Sequence, residues 1–123
     1  MPISWTIWHE KRRVIATAEG IVALKDVEQY LDAIVVEGAM PYAKIFDASA
    51  MQPQGTDHDV LMLGARMRAY VATLEGGPLA FVVTTQASRD FIDRYVNLTS
   101  GATRPLKICY TADEARHWLD EQT

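Results

Sequence analysis

An α/β fold, with a mostly parallel central sheet behind an N-terminal antiparallel hairpin, is predicted by the order of patterns in this 123-residue chain. Three observations carry the prediction. Two strand-like runs come first, with only a short polar turn between them. After Gly20, helical and strand periodicities alternate to the end, so the whole reads β-β-α-β-α-β-α-β-α. Residues 79–83 are uninterruptedly apolar, as expected of a central parallel strand covered on both faces.

Residues 3–7 alternate strictly, with Ile3, Trp5 and Ile7 on one face, which makes a half-buried strand. A polar turn at His9 to Lys11 follows, and residues 13–19 are β-branched and alternating again, so the two runs form a hairpin closed near Glu10. Gly20 is expected to end the second strand. The first helix covers residues 24–37: Leu24, Val27, Leu31, Ile34 and Val35 share a stripe, Asp26, Glu28 and Asp32 lie elsewhere, and Gly38 is the stop. Residues 42–46 make a short buried strand running into Asp47, and residues 51–55 read as a loop. Thr56 or Asp57 then caps a long second helix, with acids in its positively polarised first turn. Its core stripe is Val60, Leu63, Met67, Tyr70, Val71 and Leu74, and Gly76-Gly77-Pro78 reads as its terminating turn. A third helix covers residues 87–98, with Phe91, Ile92, Tyr95 and Leu98 toward the core. Residues 99–104 form a loop and residues 106–110 the last strand. Thr111-Ala112-Asp113-Glu114 is a capping box opening a fourth helix, which packs through Ala115, Trp118 and Leu119.

The chain is long enough for one domain, residues 1–123, with an ordinary core. A net charge of −4 argues against nucleic acid as a partner, because such surfaces need a basic patch. The one basic cluster, Lys11-Arg12-Arg13, sits beside Glu10 and reads as a solvated turn. A single cysteine, Cys109, permits no internal disulfide and reads as a small core residue, in keeping with a reducing compartment. The first residues lack a signal-peptide pattern, and no apolar run approaches the roughly 18–20 residues of a membrane span, so a cytoplasmic location and no transmembrane segment are expected.

Catalytic and metal signatures are sparse. His9, His58 and His117 belong to different elements, and the side chains of Asp57, His58 and Asp59 diverge around one helical turn, so no metal and no cofactor are expected. There is no nucleophile elbow and no glycine-rich phosphate loop. Ser49 and Ser88 sit where hydroxyls cap helices. Asp47, after a buried strand, and Thr84, at the end of the next, occupy positions where parallel sheets hold ligands. They resemble the phosphoacceptor and hydroxyl of a receiver domain, but the acidic pair and the late lysine of that family are missing, and the opening hairpin breaks its topology.

Four stretches carry a closer likeness: Lys44-Ile45-Phe46-Asp47, the loop into the second helix, the apolar strand at residues 79–83, and Lys107-Ile108-Cys109-Tyr110 with Asp113-Glu114-Ala115 and Trp118-Leu119. Together with the element order, they make the chain resemble the STAS domain of anti-sigma-factor antagonists and sulfate-transporter tails over almost its whole length. The resemblance implies a non-enzymatic regulatory module. In phosphorylatable antagonists the second helix opens with Asp-Ser-Ser-Gly; here the stretch is Asp57-His58-Asp59-Val60, so the resemblance implies no serine switch.

Three functions fit these observations. The first is an interaction module, pairing with a protein partner or a second copy through Leu61, Ala65, Ala69 and Ala72 on the outer side of the second helix, with Trp8. A neighbouring helix of the same chain covering that side is the competing explanation. The second is a binder of a small apolar ligand or lipid, whose pocket would use Phe46, Met51, Met62 and Phe81. The third is an enzyme at the sheet edge. Its site would lie near Asp47, Ser49, His58 and Thr84, with no catalytic residue singled out; the candidate ligand or partner contacts of the chain are Asp47, Ser49, Thr56, Asp57, His58 and Thr84.

Overall fold

The computed structural model describes residues 2–54, 56–73, 76–98 and 105–122, apart from the side chains of Pro53, Asp57, Val71, Ala72, Thr73 and Leu98. The predicted core position Leu74 and the loop at 99–104 therefore lie outside the described residues, as do the side chains of Asp57, Val71, Ala72 and Leu98. The order is β1 (Ile3–Trp8), β2 (Arg13–Val22), α1 (Leu24–Val36), β3 (Ala43–Pro53), α2 (Asp57–Thr73), β4 (Leu79–Val82), α3 (Gln86–Leu98), β5 (Leu106–Cys109) and α4 (Ala112–Glu121). β1 and β2 are antiparallel, pairing Ile3 with Ala18 through Trp8 with Arg13. All other pairs are parallel, and the sheet runs β1-β2-β3-β4-β5.

That monotonic order decides the layers. Crossovers between parallel strands are right-handed, so a sheet that always advances in one direction receives every crossover helix on the same face. α1, α2 and α3 accordingly share one face and pack on Val14, Ala16, Phe46, Phe81 and Val83. α4 follows the last strand and folds onto the other face, where Ala115 and Leu119 meet Ala43, Ile45, Ala80, Val82 and Cys109. It reaches β3, β4 and β5. On that face Ser4, Thr6 and Trp8 of β1 stay exposed. On the three-helix face, edge-to-face rings run from Trp5 through Tyr30, Phe46 and Phe81 to Tyr95, with centroids 5.5–6.0 Å apart.

Two strand ends differ from the sequence reading. β2 passes through Gly20, which takes φ +71° after a register shift between Thr17 and Glu19, and continues to Val22. β3 does not stop at Phe46 but runs on through Asp47 to Pro53, so residues 51–53 are strand rather than loop. The cause is mutual: the β2 extension pairs Gly20 with Met51 and Val22 with Pro53, while the Gln54 N–H donates to the Val22 carbonyl at 2.9 Å. A glycine at positive φ and a strand-end proline are both tolerated in such a two-strand extension. The α4 cap also differs in detail. The Thr111 hydroxyl accepts from the Glu114 N–H as expected, but the Glu114 carboxylate accepts from the Tyr110 N–H at 3.1 Å.

Candidate functional site

β3 carries Asp47 at its register with Val82, the last residue of β4. The Asp47 Oδ1 accepts from the Ser49 N–H at 3.0 Å and from the Ser49 hydroxyl at 2.6 Å, and the Thr84 hydroxyl donates to the Ser49 carbonyl at 3.0 Å. The fold thus brings Asp47, Ser49 and Thr84 together. It does not bring Thr56, Asp57 or His58 to them, because β3 continues six residues beyond Asp47, roughly 20 Å of extended chain. Nor does it supply a reversal of strand order, which is where ligands in open α/β sheets sit. The Asp47 carboxylate is engaged by Ser49 within the strand, where the register of β3 against β2 shifts.

At the start of α2, the Thr56 hydroxyl accepts from the Asp59 N–H at 3.2 Å and the Asp59 carboxylate accepts from the Thr56 N–H at 3.0 Å. This reciprocal capping box accounts for Asp59 by helix termination alone. His58 is exposed. Among the described residues, no group of three His, Cys, Asp or Glu side chains could hold a metal ion.

Beyond its cap, α2 shows two opposed sides. Val60, Leu63 and Met67 are buried, whereas Leu61 is 44% and Met62 50% exposed, and Ala65 and Ala69 are exposed with them. No described helix of the chain covers that outer side. Trp8, 46% exposed, belongs elsewhere: it projects from the α4 face of the sheet, opposite the face α2 packs on, with the Lys11 ammonium 5.2 Å from its ring centre. The surface imagined as one in the sequence is therefore two.

Between α1, α2, α3 and the sheet lies a cavity of about 50 Å³, walled by Phe46, Met51, Phe81, Leu63, Met67 and Tyr95 among others. Met62 is not part of it. Lys44 also reaches this wall; it is 2% exposed, and its ammonium donates to the Tyr42 carbonyl at 2.8 Å and to that of Met40. Sequence reading passed over Lys44, although a lysine two residues from Phe46 in a buried strand must share the inward face with Phe46. It also missed the purpose of Ser88, which is fully buried and donates to the carbonyls of Ala48 and Met51, holding the extended half of β3 in place.

A polar cluster ties α1 to α2 at the surface. The Asp32 Oδ1 accepts from Arg66 at 2.8 Å and from the Tyr70 hydroxyl, which in turn accepts from Arg66 at 3.1 Å. The Tyr70 hydrogen bond, followed by the Arg66 guanidinium, lowers the Asp32 pKa, and the same bond to Asp32 raises that of Tyr70. A lowered carboxylate adds stability that is present above its unfolded pKa near 4 and lost as pH falls through the lower folded value. A raised phenol adds stability that is present below its unfolded pKa near 10 and lost as pH rises through the higher folded value. The thermal midpoint of the wild type should therefore fall in both limbs. Asp32→Asn should narrow the drop in each limb, relative to the neutral value, in a pH series of melts; two parallel curves would show that the cluster does not couple to folding.

The topology and layers define a STAS-like class, the SpoIIAA-like fold. Among solved structures, the chain is similar to an uncharacterised protein of the DUF3478 family with a SpoIIAA-like fold from Shewanella loihica PV-4. The two superpose with a TM-score of 0.64 at 17% identity, over 95% of this chain and 93% of that one. No family model and no curated protein matches the sequence. No helix among the described residues is long and apolar enough to cross a membrane.

Proposed function

We propose that this chain is a non-enzymatic interaction module that docks a protein partner on the outer side of α2. One observation carries the reading: Leu61, Met62, Ala65 and Ala69 form an apolar strip on a helix whose inner side already fills the core. A helix side facing only water is ordinarily charged. Residues 60–73 contain no Asp or Glu, in a chain of net charge −4, and their cations are Arg66 and Arg68. Arg66 is engaged by Asp32 and Glu28, which leaves Arg68 as the exposed cation of that stretch. The partner that fits is an apolar surface with an acidic rim. The small side chains of Ala65 and Ala69 let its backbone come close. Docking needs no phosphorylatable serine, in line with a helix start already closed by Thr56 and Asp59.

The test is the double substitution Ala65→Glu with Ala69→Glu. Both positions are exposed, so folding stability should stay within about 0.5 kcal/mol of wild type. Capture of the partner from the native cell extract, read by quantitative mass spectrometry, should drop at least tenfold. A capture profile unchanged by the substitutions sinks the reading.

A second reading, binding of a small apolar ligand, is favoured by the aromatic cavity. At about 50 Å³ it falls well short of a ligand pocket of roughly 300–1,000 Å³. Ligand binding would require one of the three covering helices to move outward.

A further inference from the structure

The two edges of the sheet are built differently. β5 is short, has Lys107 among its four residues and follows Pro105, which are standard devices against edge pairing. β1 likewise follows a proline, Pro2, but it is longer and has no lysine. Its six residues, Ile3-Ser4-Trp5-Thr6-Ile7-Trp8, include no charge and no proline, and its register with β2 runs without a bulge.

The free groups of this edge can be assigned. The Glu19 N–H donates to the Pro2 carbonyl at 2.8 Å, so Pro2 and Glu19 are a hydrogen-bonded pair of the antiparallel ladder. Such pairs alternate, which turns the backbone groups of Ser4, Thr6 and Trp8 toward β2 and those of Ile3, Trp5 and Ile7 outward. Among the described residues no main-chain group bonds to that outward row.

We propose that β1 pairs antiparallel with β1 of a second copy of this chain, about a two-fold axis at Trp5, to make one continuous sheet. The sequence of β1 is complementary to itself in that register. Ile3 falls opposite the partner's Ile7 and Trp5 opposite the partner's Trp5, on the face that carries α1; Ser4 falls opposite the partner's Thr6 on the other face. The same register sets outward N–H and C=O groups against each other in three pairs, about six hydrogen bonds. Apolar side chains meet apolar ones, hydroxyls meet hydroxyls, and no charge is buried, which is why a second copy fits this edge. This surface is separate from the α2 strip, and either can fail without the other.

Ser4 and Thr6 are exposed, so they can be changed without disturbing the core. The wild type should have twice its 13.8 kDa mass by light scattering at tens of micromolar. Ser4→Lys with Thr6→Lys places like charges opposite one another and should give a folded monomer by circular dichroism and light scattering. Ser4→Glu with Thr6→Glu should do the same. An equimolar mixture of the two double variants should recover the dimer mass. A monomeric wild type, a dimer that survives both sets of substitutions, or a mixture that stays monomeric would each overturn the proposal.

Discussion

Gly77→Ala should destabilise the protein by about 3 kcal/mol or more, at the upper end of the cost of forcing an extra methyl into a packed site. Gly77 is buried, and its N–H donates to the Met40 carbonyl at 3.3 Å. A β-carbon there would lie against the carbonyl oxygens of Pro41 and Tyr42 and within 2.7 Å of the Tyr42 carbonyl carbon. All three are backbone atoms, so no side chain can swing aside. The obstructed segment is the one that Lys44 holds through the carbonyls of Met40 and Tyr42, so any shift there disturbs a buried ammonium as well. In a domain of this size the melting temperature should fall by more than about 10 °C. A variant melting within about 2 °C of wild type would mean that the connection between α2 and β4 can move away at little cost. Gly76→Ala, one residue earlier, serves as the control for backbone entropy.

Phe81→Ala should cost about 3–5 kcal/mol, the usual range for removing a buried aromatic side chain. Phe81 is 6% exposed and stands between Phe46 and Tyr95 in the ring ladder, 6.0 Å from each. Its removal should join the vacated space to the existing cavity of about 50 Å³ between the sheet and the three helices. Enlarged apolar cavities of about 150 Å³ stay dry and accept benzene. The variant should accordingly regain part of its lost melting temperature in benzene-saturated buffer, while the wild type should not respond. A wild type stabilised by benzene to the same extent would show that the helices already open to admit an apolar molecule, and would favour the ligand-binding reading over docking. A variant indifferent to benzene would show that the site collapses when emptied.

Period and punctuation made much of the fold legible in the sequence. The alternation of Ile3, Trp5 and Ile7 located β1 and its inward face. The unbroken apolar run located β4, whose residues are buried on both faces. The stripe through Leu31 and Ile34 located α1, and Thr111 located the start of α4. Each is a local signal, because burial of one face imposes a period of 2 or 3.6 on the chain itself. The errors arose where a distant partner supplied the reason. Residues 51–53 contain a proline and look like loop, yet the β2 extension and the Ser88 hydroxyl make them strand. Gly76-Gly77 reads as an ordinary turn, yet Gly77 is required by the close approach of the chain at Pro41 and Tyr42. Lys44 was legible by face and passed over; its carbonyl acceptors were not.

The candidate contacts divided in the same way. The residue types at Asp47, Ser49 and Thr84 suggested a sheet-edge site, and the chain does bring those three together. That they bond to one another along β3, at a sheet end where the strand order never reverses, follows from long-range pairing, which the sequence of elements leaves open. Leu61, Ala65 and Ala69 could be placed on the outer side of their helix by periodicity, but not shown to be uncovered.

The sequence by itself determined the number, type and order of the elements, the inward face of most of them, and the lack of recognisable catalytic or metal motifs. Only the tertiary structure decided that the strands line up in chain order, that three helices therefore share one face and α4 takes the other, and that among the described residues nothing covers the outer strip of α2 or bonds to the outer edge of β1. The physical reason is that periodicity records whether a side chain is buried but not by what. Which strand, helix or backbone carbonyl does the burying is set by long-range pairing and by the handedness of the crossovers, and neither leaves a local mark in the chain.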